Sequence, residues 1–246
     1  MRIKAVIFDI EDTLYDSSLQ MRMARLNAIR AMIEAGLPID IETGYKRLEE
    51  VVNEYGPHYG KHFDKLLERL GLKWNPRVIA AGVVAYRETS QAYLKPFPET
   101  IPILIKLRDM KYKLGVVSDG LAVKEWQKLI QLGVHHLFHA VVISEECGVL
   151  ELNEDVFKRC LEELDVKPQE SLYVSSRPNR AIRSANRAGL VSVRLRRGDH
   201  CIEEPMSLEA YAKYEIERLS QIFDVIRDVE LSVKAGDILS NPKPNI

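Results

Sequence analysis

Asp9 and Glu11 are two carboxylates one residue apart, set directly behind the apolar run Ala5-Val-Ile-Phe8, and Thr13 follows two positions later. A short apolar run of this kind reads as a buried strand. It delivers Asp9 to the carboxyl edge of a sheet, where open α/β proteins keep their ligands. Carboxyls at i and i+2 in the turn beyond a strand both reach one crevice. There one can attack as a nucleophile while the other moves a proton. A second run, Lys113-Leu-Gly-Val-Val117, ends in Ser118-Asp119-Gly120 and brings another hydroxyl and carboxyl to a strand end. The plainer reading of Thr13 and Ser118 is turn chemistry alone.

The elements that must position these groups follow from hydrophobic spacing. Residues 16–95 read as helices, with apolar positions at helical intervals in 18–35, 41–54, 62–70 and 77–93. From Pro96 the rhythm alternates. Helices near 99–110, 122–132, 154–164, 179–188 and 218–229 separate strands at 113–117, 140–143, 172–174, 191–195 and 214–216. Short apolar runs separated by helices of about a dozen residues predict a doubly wound, Rossmann-like parallel sheet with crossover helices on both faces. The expected layout is an α/β core of 1–15 and 96–234 with a helical cap inserted at 16–95. The stretch 235–246, rich in Pro and Asn, is expected to be a loose tail.

Composition narrows the function classes. A chain of 246 residues with 46% hydrophobic and 29% charged content is that of a soluble globular protein. A net charge of −1 gives no electrostatic case for nucleic acid or an anionic membrane as partner. No apolar run approaches the roughly 20 residues of a membrane span. Cys147, Cys160 and Cys201 are scattered and odd in number, and residues 1–4 show no signal-peptide pattern, so the expected location is the cytoplasm. His135, His136 and His139 lie close together but show no fourth ligand for zinc.

Asp9-Ile-Glu-Asp-Thr13, then Val116-Val-Ser-Asp-Gly120, Phe157, and Tyr173-Val174 leading to Ala185-Asn-Arg-Ala-Gly189 resemble the haloacid dehalogenase (HAD) superfamily. The resemblance runs from residue 3 to about 229 and includes an insert the size of that family's helical cap of the first type. It is nearest to archaeal members described as glyceraldehyde-3-phosphate-type or general small-molecule phosphatases. It implies Asp9 as a nucleophile that becomes an aspartyl-phosphate, Glu11 in the place of the acid/base aspartate, and Thr13, Ser118 and Asp119 around the phosphate. Glu11 carries one methylene more than the aspartate expected there. A displacement of about an ångström costs on the order of a hundredfold in rate.

The third and fourth motifs of that family depart further. Aligning Gly148 and Phe157 puts Glu151 where the family has a lysine, and three carboxyls, Asp9, Glu11 and Glu151, would then share one crevice and raise a pKa. Lys124, Lys128 or Lys158 could supply a lysine from elsewhere. In the fourth loop Ser176 and Ala181 fall on the positions of metal-binding aspartates, leaving Mg²⁺ only Asp9 and Glu11, and a serine hydroxyl is a poor substitute for a carboxylate on that ion. Arg177 and Arg180 flank Pro178 in the same loop, and one guanidinium is expected among the carboxylates as a fixed cation. The bland alternative is that both are solvated.

Two losses worth about 3–4 kcal/mol each in transition-state stabilisation amount to a factor of ten thousand or more. The leading expectation is therefore a pseudo-phosphatase that acts by binding a small molecule or a partner protein, with a homodimer open. The alternative is a slow phosphatase of small phosphorylated metabolites, using Mg²⁺ if active or no cofactor. A remote third reading is a 2-haloacid dehalogenase, echoed in Ser175-Ser176 but opposed by Asp119 and Glu151 where that branch has asparagine and lysine.

Overall fold

The computed structural model describes residues 2–57, 59–149 and 151–240, with side chains described up to residue 232. The chain divides into two compact units, Met1–Asp16 with Lys95–Ile246, and Ser17–Leu94.

The larger unit is built on a parallel six-stranded sheet among the described residues: β1 (Ala5–Phe8), β2 (Lys113–Ser118), β3 (Ala140–Ile143), β4 (Ser171–Ser175), β5 (Val191–Leu195) and β6 (Tyr214–Ile216). Their order is β3-β2-β1-β4-β5-β6. Every residue of β1 and β4 is buried, as a strand flanked on both faces requires, which is why these segments are apolar runs and not alternations. The order reverses direction between β1 and β4, and such a switch point opens a crevice beyond the carboxyl ends of the two strands. Phe8 pairs with Val116 of β2 and with Val174 of β4, so Asp9 stands level with Val117 and Ser175.

Helix α7 (Glu154–Leu164) shows how a helix is fixed against this sheet. The Asn153 side chain caps it, accepting from the amides of Asp155 (3.1 Å) and Val156 (3.2 Å). Phe157 meets Tyr173 edge to face at 4.8 Å between centroids. Gly115 of β2 makes the close approach possible, since a Cβ there would lie 3.0 Å from both Cys160 Sγ and Leu164 Cδ1. In the same unit, α5 (Thr100–Asp109) and α6 (Ala122–Gln131) flank β2 in sequence. The helix numbered α9 here (Ile222–Ser240) closes the unit, after the short α8 (Arg183–Arg187).

The smaller unit is helical: α1 (Ser17–Glu34), α2 (Ile41–Tyr55), α3 (His62–Arg69) and α4 (Pro76–Tyr93). Ile29, Met32, Leu48, Leu66, Leu67 and Val78 form its core. Asp40 caps α2 by accepting from the Thr43 amide at 2.8 Å, and Asn75 with Pro76 starts α4.

One expectation fails in part. Residues 235–240 continue α9 and are not a loose tail, because the helix runs past the expected end near 229 to Ser240; residues 241–246 lie outside the described residues.

Candidate active site

Asp9 is the first residue beyond β1 and is 4% exposed. The register with β4 places Ser175 beside it, and the Ser175 hydroxyl donates to Asp9 Oδ2 at 2.7 Å. The Ile10 amide donates to Asp9 Oδ1 at 2.8 Å. Burial pushes the Asp9 carboxyl up to about 7, with Asp119 and Glu11 adding to the rise while Arg177 and the Ser175 hydrogen bond oppose it. The loop then turns tightly. The Leu14 amide donates to the Ile10 carbonyl at 3.0 Å, and Asp12 takes the left-handed conformation at φ 51°, which a short polar side chain tolerates. The Thr100 hydroxyl and the Phe97 amide both donate to the Leu14 carbonyl, at 2.8 and 3.0 Å, and pin the far end of this loop.

Glu11 lies between two cations. Lys128 of α6 donates to Glu11 Oε1 at 2.6 Å, and Arg177 pairs with Oε2. Burial alone would raise this carboxyl, but Lys128 and Arg177 outweigh it and hold Glu11 down at about 2. Lys128 also donates to Glu125 Oε1 at 2.7 Å, one helical turn away, and its own pKa rises because Glu11, Tyr15 and Glu125 together overcome its burial. Glu125 in turn accepts from the Ser118 hydroxyl at 3.3 Å, and burial raises its carboxyl. Ser118 and Asp119 sit at the end of β2, next to Gly120, whose amide donates to Ser144 Oγ at 3.1 Å.

The fourth loop leaves β4 through Ser176 and Arg177 into a π turn at Pro178–Ile182. Arg177 lies 3.7 Å from Asp119 Oδ1, and Arg180 lies 3.8 Å from Asp119 Oδ2. Ala181 is buried in the core cluster with Phe157 and Ile182. Glu151 does not join Asp9 and Glu11. Its side chain is 68% exposed and pairs with Arg180, because the loop between Gly148 and the cap Asn153 carries it toward solvent. The three-carboxyl crevice expected from the sequence is instead Asp9, Glu11 and Asp119.

Sequence reading did not single out Glu125, and it weighed Ser175 only as half of a serine pair. Lys128 is one of three lysines that the sequence offers for this place. The local signal for both acid and base is their i, i+3 spacing on one face of α6.

The donor set does not suit a divalent cation. Mg²⁺ favours charged oxygens in octahedral order. Here positions 176 and 181 offer a hydroxyl and a methyl, and Glu11 is committed to Lys128 and Arg177. Among the described residues, no group of three or more His, Cys, Asp or Glu is disposed to hold a metal.

A buried aspartate at the switch point of a Rossmann-like sheet, with hydroxyls and fixed cations around it, defines a hydrolase of the HAD type. The chain belongs to the haloacid dehalogenase-like hydrolases, whose family pattern matches residues 3–189. Among individual proteins it is 52% identical to a glyceraldehyde 3-phosphate phosphatase of Methanopyrus kandleri, over 92% of this chain and 98% of that one. It is 37% identical to a protein of the same name from Methanocaldococcus jannaschii, over 93% and 99%. Its fold matches that of the putative HAD-hydrolase YfnB from Bacillus subtilis, described as bound to magnesium, with a TM-score of 0.66 and 18% identity over 92% of this chain and 99% of that one.

These relatives overturn the pseudoenzyme expectation. A chain this similar along its whole length to proteins named as phosphatases supports the second reading, the phosphatase. Lys128 and Arg177, both on Glu11, supply charge that offsets part of what the third and fourth motifs lose. No helix among the described residues is long and apolar enough to cross a membrane.

Proposed function

We propose that the protein is a phosphatase of small phosphorylated metabolites, with glyceraldehyde 3-phosphate as the first candidate substrate. The observation that carries the reading is Asp9, a buried carboxylate at the switch point, in a chain 52% identical to a protein of that name. Asp9 attacks phosphorus, the bond to the leaving oxygen breaks, and an aspartyl-phosphate forms; water then releases the phosphate. The hydrogen bonds from Ser175 and Ile10 fix the carboxylate plane, so the attack begins from one orientation.

Glu11 is the proton carrier. In the resting site its two cations keep it a carboxylate, the state that takes a proton from the attacking water in the second step. To donate in the first step it must gain a proton, which requires Arg177 to turn toward the substrate and Lys128 to fall back on Glu125. Ser118, Thr13 and Asp119 border the phosphate position, with Asp119 held by Arg177 and Arg180. Cys147, Cys160 and Cys201 are free, which supports a reducing, cytoplasmic setting.

Release of inorganic phosphate from glyceraldehyde 3-phosphate and from a panel of sugar and glycerol phosphates tests the reading. Turnover that Asp9→Asn abolishes is the expected result. Equal turnover by the variant, or none by the wild type on any ester, contradicts it.

A further inference from the structure

Among the buried polar atoms that have no hydrogen-bond partner among the described residues are Thr13 Oγ1, Ser176 Oγ and Arg177 Nε. Each lies in the loop beyond β1 or in the loop beyond β4, the two strands that bound the crevice. A buried donor left unpaired typically costs about 1–3 kcal/mol, so three in the two loops that border the crevice call for a ligand that accepts from them. Two hydroxyls and a guanidinium N–H match an oxyanion.

Arg177 is built into the site through the nucleophile's own partner. Its amide donates to Ser175 Oγ at 3.2 Å, and that hydroxyl donates to Asp9. Its side chain is only 16% exposed. The guanidinium lies between Glu11 and Asp119 and supplies positive charge to both carboxylates. Lys128 contacts both Glu11 and Glu125, so a cation stays beside the two carboxyls when Arg177 turns away and can rest on Glu125 while Glu11 is protonated. Arg180 does the same for Asp119.

We propose that Arg177 binds the phosphate group directly and takes the electrostatic place of a divalent metal, so that this crevice works without Mg²⁺. The proposal rests on the phosphatase reading and deepens it. A guanidinium offers paired N–H donors to two phosphate oxygens and carries a charge that no chelator removes.

Calorimetric titration of inorganic phosphate into the full chain, in EDTA and then in Mg²⁺, tests this. The wild type binds phosphate equally in both, and Mg²⁺ alone gives no saturable heat. Arg177→Ala weakens phosphate binding by at least about tenfold, as loss of a charge-assisted hydrogen bond does. Arg177→Lys, which keeps a positive charge on the Oε2 side of Glu11, recovers part. Phosphate binding that requires Mg²⁺, or that is unchanged in Arg177→Ala, overturns the proposal. Phosphate bound in EDTA with no ester turned over upholds this anion site and sinks the phosphatase reading. Turnover strictly dependent on Mg²⁺ does the reverse.

Discussion

Lys128 Nζ lies 2.6 Å from Glu11 Oε1 and 2.7 Å from Glu125 Oε1, so one ammonium holds the loop beyond β1 against helix α6. All three side chains are largely buried. Removing the cation leaves Glu11 with Arg177 alone and Glu125 without its ammonium, and breaking a buried pair in this way costs about 3–5 kcal/mol. Lys128→Met is therefore expected to lose about 3 kcal/mol in urea unfolding. Adding Glu125→Gln recovers part of the loss. A single variant as stable as the wild type would show that the contact holds nothing.

The raised carboxyl of Asp9 sets a pH dependence of stability. Its folded pKa of about 7 stands above the ordinary 3.8, so between those values the folded state binds more protons than the unfolded chain. Stability from this group falls as pH rises from about 4 to about 7 and stays low above that. Glu11 acts in the opposite sense. Its folded pKa of about 2 lies below the ordinary 4.5, so its contribution is present above 4.5 and is lost as pH falls toward 2. Asp9→Asn, uncharged throughout, is expected to gain on the wild type between pH 5 and pH 8. Urea midpoints of the two proteins at both pH values read this directly, and a constant gap contradicts it.

Much of this was legible in the residues. The β1 run and Asp9 could be placed because a parallel strand buried on both faces must be continuously apolar, and its end is the ligand edge. Ser118 followed from the same rule on β2. The Lys128–Glu11 contact spans 117 residues and leaves no local pattern beyond the spacing of Glu125 and Lys128 on α6. Glu151 was misplaced because counting from Gly148 and Phe157 fixes position along a loop, not direction, and the cap at Asn153 turns that loop outward. Arg177 was legible as a cation beside the vacated metal position, but which carboxylates it meets depends on the β1–β4 register.

The Ser175 hydroxyl lowers the Asp9 pKa by hydrogen bonding to the charged form. On the phosphatase reading the nucleophile must be ionised, so the rate is expected to rise with pH through about 7. Ser175→Ala shifts that rise to higher pH and slows turnover at neutral pH. The pH–rate profile of kcat/KM checks it. An unshifted profile means that the hydroxyl does not tune the nucleophile.

Gly120 takes φ +124°, and a Cβ there would lie 3.1 Å from Glu125 Oε1. Gly120→Ala meets both backbone strain and a crowded buried carboxyl. It is expected to cost about 1–2 kcal/mol in urea unfolding, more than a surface glycine in an open turn. Gly133→Ala, also at positive φ but with nothing near its Cβ, gives the comparison for strain alone. Equal losses at the two positions would remove the role assigned to Glu125.

As the nucleophile, Asp9 carries the phosphoryl group between the two steps. Rapid acid quench of the protein during turnover of phosphate-labelled glyceraldehyde 3-phosphate, followed by peptide mass spectrometry, tests it most directly. One phosphoryl group is expected on the peptide containing Asp9, labile to hydroxylamine and absent from Asp9→Asn. Turnover with no phosphorylated peptide, or with the label elsewhere, would contradict it.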